Sequence, residues 1–144
     1  MKNITDEPVL VPWDFSEESK KALDKAIELV QSPDQITVVH VTPYPPATEY
    51  SVIWGTYNED QIRDNLVKSF RKEMPGEKYA QLKFTSLFGD PGSGIVKLAK
   101  DLNAGLIVIS SHGRTGISRL LLGSVAERVV RLSPCPILVL RSSS

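Results

Sequence analysis

Apolar residues run along the chain in two rhythms. Short continuous apolar runs, the pattern of strands covered on both faces, stand at Pro8 to Trp13 (P-V-L-V-P-W), Ile36 to Val41 (I-T-V-V-H-V), Gly105 to Ile109 (G-L-I-V-I) and Pro136 to Arg141 (P-I-L-V-L-R). Leu82 to Phe88 alternates instead, with Leu82, Phe84 and Ser86 against Lys83, Thr85 and Leu87, and reads as an edge strand. Between these runs the apolar spacing becomes helical. It does so at Ala22, Leu23, Ala26, Ile27, Leu29 and Val30, and at Ile62, Leu66, Val67 and Phe70 within 58–74. It returns at Ile95, Val96, Leu98, Ala99 and Leu102, and at Val125, Ala126, Val129 and Val130.

Local chemistry marks the boundaries. Ser16 is a good N-cap, and Glu17 and Glu18 suit the first turn after it. Ser32-Pro33-Asp34, Pro75-Gly76, Asn103-Ala104-Gly105 and Ser133-Pro134 end helices, and Pro91 and Gly92 open one. The order is βαβαβαβαβ, which predicts an α/β fold: a five-stranded parallel sheet with helices on both faces. No linker or repeat interrupts it, so residues 1–144 read as a single domain. Thr42 to Tyr57 is irregular, with Pro43, Pro45 and Pro46 among Tyr44, Tyr50, Trp54 and Tyr57. It reads as a loop packing its own aromatics, or as a lid.

Composition narrows the class. Lys plus Arg equals Asp plus Glu at 17 each, so no net charge points to nucleic acid or an anionic membrane surface. The single cysteine, Cys135, sits between two prolines and reads as a small buried hydrophobe; no intrachain disulfide is available, which fits a reducing cytosol. The N-terminus has no apolar signal core, and no apolar run approaches the ~20 residues of a membrane span. A cytoplasmic protein is expected.

The chemistry concentrates between Ile109 and Glu127. A buried strand runs into a loop with Gly113 and Gly116, then Gly123 and Ser124 precede a helix. Glycine permits close backbone approach, and a helix N-terminus offers unpaired N–H groups and partial positive charge, which together bind phosphate. Ser124-Val-Ala-Glu127 is also a capping box, so Ser124 as a simple cap is an equally good reading of that piece alone. The loop exceeds the about 2–6 residues an ordinary strand-to-helix turn requires. It also carries Arg114 and Arg119, which suit phosphate oxygens. Gly89 and Gly94 have P-loop spacing, but Ile95 stands where the lysine belongs, so that motif is rejected. Asp14, after the first strand, is placed to accept from a sugar hydroxyl or an adenine amino group, or to make an Asx turn. His40 reads as a strand histidine with a satisfied ring.

With these pieces in hand, the chain resembles the universal stress proteins over essentially its whole length. V-P-W-D-F-S (Val11 to Ser16), G-x9-G-S (Gly113 to Ser124) and S-P-C-P-I-L-V-L (Ser133 to Leu140) carry the resemblance. It implies strand order 3-2-1-4-5, a Rossmann-like sheet of the adenine-nucleotide alpha-hydrolase type, and homodimers. One branch binds ATP through G-x2-G-x9-G-[ST]; others lack the pattern and do not. Here Ser110 holds the first glycine position. If that backbone requires positive φ, serine costs roughly 1–2 kcal/mol.

The roles implied by the resemblance are these. Pro12, Asp14 and the backbone of Val41 meet adenine and ribose. The backbone from Ser110 through Ser111, His112, Gly113, Arg114 and Thr115 to Gly116 follows ribose and phosphates. Gly123, Ser124 and Val125 close on the phosphate chain. Side-chain roles for His112 and Arg114 are inferred from their place in the loop.

The expected function is an ATP-binding regulatory module of the stress response, with Mg or Mn as the accompanying metal. The alternatives are a nucleotide-free dimeric stress protein and a slow ATPase. The apolar edge at 136–141, with no later strand to cover it, predicts pairing with a second copy. The H-x-G-H of nucleotidyl transferases and the S-G-G-x-D-S of P-P-loop enzymes are both absent after strand one.

Overall fold

The computed structural model describes residues 4–112 and 122–141. Its strands are β1 (Val9–Pro12), β2 (Ile36–Thr42), β3 (Lys83–Phe88), β4 (Leu106–Ser110) and β5 (Ile137–Leu140). The helices are α1 (Glu17–Leu29), α2 (Tyr50–Ile53), α3 (Glu59–Glu73), α4 (Glu77–Ala80), α5 (Pro91–Asp101) and α6 (Ser124–Leu132). Short 3-10 turns at Ile4–Asp6 and Pro33–Gln35 lead into β1 and β2.

All strand pairs are parallel, in the order β3-β2-β1-β4-β5. Val9 pairs with both Ile36 and Leu106, so β1 lies at the centre. Burial follows the position of each strand. Val9, Leu10 and Val11 are buried, as are Ile36 to Val39 and Leu106 to Ile109, whereas β5 is half-buried throughout and β3 half-buried or exposed. The alternation in β3 is that of the edge strand it is.

Two apolar layers enclose the sheet. On one face Val9, Val11, Val38 and Val108 meet Ala22, Leu23 and Ala26 of α1, Phe70 of α3 and Met74, the C-cap of α3. On the other Leu10, Val39, Ile107 and Ile109 meet Ile95 and Ala99 of α5 and Ala126 and Val129 of α6. Successive residues of a strand point to opposite faces, which is why both faces draw on the same apolar runs.

Capping explains the helix starts. Ser16 Oγ accepts from the Ser19 N–H, Asn58 Oδ1 from the Gln61 N–H and an Asp90 oxygen from the Ser93 N–H. The α3 reading from Asn58 was one residue early, because Asn58 is the cap. The four-residue α4 follows Gly76, whose φ of +105° turns the chain out of α3, and no periodicity is readable over so short a piece. Within 42–57, Tyr44 stacks on Phe88 at 6.3 Å and Tyr57 meets the same ring edge-on at 6.5 Å, while Ile53 and Trp54 are exposed. Among the described residues no helix is long and apolar enough to cross a membrane.

The winding reverses at β1. The chain moves outward through β2 to β3, then crosses back to β4 on the other side of β1. The carboxyl ends of β1 and β4 therefore flank the crevice where open α/β sheets place their ligands.

Candidate functional site

Two exits make up the site: β1 into α1, and β4 toward α6. At the first, Pro12 ends β1 and the Trp13 N–H donates to the Val39 carbonyl at 2.7 Å. Trp13 is buried against Phe70, with ring centroids 5.0 Å apart. Its own carbonyl accepts from His40 Nδ1 at 2.8 Å; a carbonyl has no proton, so that ring nitrogen is the donor. The satisfied strand histidine read from the sequence is thus observed. Phe15 takes φ +66°, unusual for an aromatic residue, and is held between Trp13 and His40 at 5.7 and 5.4 Å.

Asp14 makes the Asx turn: the Ser16 N–H donates to its Oδ1 at 3.1 Å. The Ser16 and Ser19 hydroxyls each donate to the same oxygen at 2.5 Å. The Ser19 oxygen in turn accepts from the Asp14 N–H at 3.1 Å. Each hydroxyl has one proton, already directed at Oδ1, so the 3.1 Å approach of the two serine oxygens carries none.

At the second exit Ser110 is the last residue of β4, paired with Leu140, and its backbone is extended. The strain anticipated for serine in place of glycine is therefore absent, since only Phe15 and Asn103 have positive φ among described non-glycine residues. Ser110 Oγ donates to the His112 carbonyl at 2.9 Å. Ser111 and His112 are buried, with 3.2 Å between Ser111 Oγ and His112 Nδ1. Gly113, Arg114, Thr115, Gly116 and Arg119 lie outside the described residues.

The chain returns to β4 at Gly123. Its N–H donates to the Ser111 carbonyl at 2.7 Å, and an added Cβ would lie 3.1 Å from that oxygen. Gly123 is the N-cap of α6, with no side-chain capping bond, and its carbonyl accepts the first helical bond from the Glu127 N–H at 2.8 Å. This corrects the capping-box reading. Ser124 lies inside the helix as its first residue, and Gly123, one position earlier, has no side chain with which to cap. Val125 follows in the same turn. A first turn without a side-chain cap retains the unpaired donors and positive end that favour an anion.

Val41 is buried, and a Cβ added at Gly94 would lie 3.4 Å from both of its methyl carbons, while the carbonyl of Thr42 accepts from the Gly89 N–H at 2.9 Å. Both glycines of the rejected P-loop thus have structural roles: Gly89 turns at φ +124°, and Gly94 admits Val41. Sequence reading missed Arg128, whose guanidinium reaches Asp90 at 3.5 Å and Ser93 at 3.1 Å across the start of α5. Position in a helix gave no signal for that contact. Cys135 is half-buried, and burial pushes its thiol above the ordinary range. Among the described residues no group of three or more His, Cys, Asp and Glu converges as a metal site.

Comparison with known proteins adds the following. The model of the Universal stress protein family matches residues 7–141. Universal stress protein YxiE of Bacillus subtilis is 33% identical over 144 residues, spanning 92% of this chain and 97% of that protein. The structure of hypothetical protein MJ0577 superposes with a TM-score of 0.74 at 28% identity, covering 97% of this chain and 99% of the other. A universal stress protein from Archaeoglobus fulgidus in complex with dAMP gives 0.59 at 25% identity, covering 94% and 98%. A universal stress protein in complex with cAMP gives 0.57 at 25%, covering 95% and 98%.

Proposed function

The chain belongs to the universal stress protein family, and on that premise we propose that it is an adenine-nucleotide-binding regulatory module of the stress response. Its ligand is ATP, held in the crevice between β1 and β4. The observation that carries the reading is the close return of Gly123 to Ser111, which sets an α6 N-terminus without a side-chain cap beside the carboxyl end of β4. The dAMP and cAMP complexes of similar proteins favour an adenine nucleotide there.

The residues present fit such a ligand. Asp14 supplies a fixed acceptor at the β1 end, beside Pro12 and the Val41 backbone, for base and ribose. Ser110 to Gly116 follow the ribose and phosphates. The N–H groups of Ser124 and Val125 receive the phosphate chain, and the Ser124 hydroxyl is available to an accompanying Mg or Mn. The nucleotide-free alternative rested on Ser110, and an extended serine imposes no backbone penalty. Calorimetric titration with Mg-ATP is expected to give about one site per chain; no heat at millimolar ATP overturns the reading.

ATP is held rather than rapidly hydrolysed. Backbone donors and a serine bind ground and transition state alike, and such binding does not raise kcat. Fast phosphoryl transfer also requires a residue that orients the attacking water. Phosphate release at or above ~1 per second, the low end of ordinary enzymes, falling on Asp14→Asn, would establish an enzyme instead. The working form is a cytoplasmic homodimer of one-domain chains joined through β5, whose outer edge no described strand covers.

A further inference from the structure

We propose that Ser19 is a positioning residue of the nucleotide site, acting through Asp14; the inference rests on the nucleotide-binding reading above. Ser19 lies in the first turn of α1, only 2% exposed, and its hydroxyl grips Asp14 twice. It donates to Oδ1 at 2.5 Å and accepts from the Asp14 N–H at 3.1 Å. One side chain therefore fixes both the backbone and the carboxylate of the residue that meets the ligand.

The arrangement has a directional consequence. Oδ1 receives three donors, the Ser16 N–H, the Ser16 hydroxyl and the Ser19 hydroxyl. That exceeds the roughly two lone pairs of one oxygen, so Oδ1 is committed to the helix start. Anchoring Oδ1 and the backbone N–H fixes the plane of the whole carboxylate that the ligand meets. A carboxylate oxygen accepts, so the ligand group that suits it is an N–H or O–H donor. Freezing such a group before binding removes an ordering cost from the binding step. Helix capping alone does not call for Ser19, because Ser16 already supplies the α1 cap.

The test is a double-mutant cycle read by Mg-ATP calorimetry, with far-UV circular dichroism and Tm recorded for every variant. Ser19→Ala is expected to weaken ATP roughly tenfold, as loss of a charge-assisted hydrogen bond does. In the Asp14→Ala background the same change is expected to cost less than twofold, because a residue acting through the Asp14 carboxylate has nothing left to position. Ser19→Thr, which restores the hydroxyl, is expected to recover at least half of the lost factor if its far-UV spectrum is native. Ser19→Cys, close in size but a weak donor, is expected to behave as Ser19→Ala and guards against a cavity effect. Equal affinities for Ser19→Ala and the unmodified protein, or an undiminished loss in the Asp14→Ala background, overturn the proposal and leave nucleotide binding intact. If the unmodified protein binds no ATP, both fall.

Discussion

The carbonyl oxygen of Ser111 receives the Gly123 N–H at 2.7 Å and would lie 3.1 Å from any Cβ at position 123. The φ of Gly123 is −61°, which every residue adopts, so glycine is there for proximity and not for backbone freedom. Leucine at 123 has to push the start of α6 away from β4. Gly123→Leu is expected to lower affinity for Mg-ATP at least tenfold, and to destabilise the fold by about 1–3 kcal/mol, as overpacking does. Calorimetry and urea unfolding measure the two effects separately. Binding within twofold of the unmodified protein would remove Gly123 from the site.

Gly92 is a second close approach, between α5 and α6. A Cβ there would meet Arg128 Cδ at 2.5 Å and its Cγ and Cβ at 3.0 and 3.1 Å. Because Arg128 Cβ and Cγ cannot simply swing aside, the helices have to separate or Arg128 has to leave Asp90 and Ser93. Gly92→Ala is expected to destabilise by roughly 1–2 kcal/mol. In an Arg128→Ala background the sign should reverse, since alanine is the better helix former by about 0.5–1 kcal/mol. Chemical denaturation of the four proteins tests the reversal.

Asp90 caps α5, and its carboxyl lies below its ordinary value of 3.8. The main cause is the Ser93 N–H bond, with the Ser93 side chain and then Arg128 adding less. A depressed folded-state pKa contributes stability that is present above the unfolded value and lost as pH falls through the folded value. The Tm difference between the unmodified protein and Asp90→Ala should therefore be constant from pH 7 down to about pH 5, and shrink below pH 3.8. Differential scanning calorimetry across that range checks the sign. A difference that grows on acidification contradicts it.

The ladder bonds show which β5 groups face outward. Pro136 and Leu140 carbonyls accept from Ile107 and Ser111 of the β4 side, so the even-numbered residues point inward and Ile137 and Val139 point to the open edge. Val139→Pro removes one outward N–H and leaves the β4 ladder intact, a substitution that edge strands accept. Light scattering is expected to report about twice the chain mass for the unmodified protein and a shift toward monomer for Val139→Pro. A monomeric unmodified protein at micromolar concentration excludes pairing through β5.

Much of the fold was legible because strands and helices announce themselves by local period. The runs at β1, β2 and β4 sit within a residue of their predicted places, since a strand covered on both faces leaves little room for polar residues. Ser16 was readable as a cap for the same reason: its bond to the Ser19 N–H is made within one turn. The Asx turn at Asp14 is equally local. Ser124 misled, because a capping box is only a spacing, and a glycine one position earlier serves as the N-cap without a side chain.

What the tertiary structure decided were the relations between residues far apart in the chain. The sequence by itself determined five strands, their alternation with helices, and a glycine-bearing loop after the fourth. Strand pairing placed β1 beside β4 and made β3 and β5 the edges. It also decided that Ser110 ends a strand with extended backbone, that Gly123 returns to Ser111, and that Arg128 covers Gly92. Local propensity acts over a few residues, through capping bonds and the period of apolar side chains. Close approaches such as these depend on how whole elements pack, and no spacing in the chain records the distance at which two packed elements come to rest.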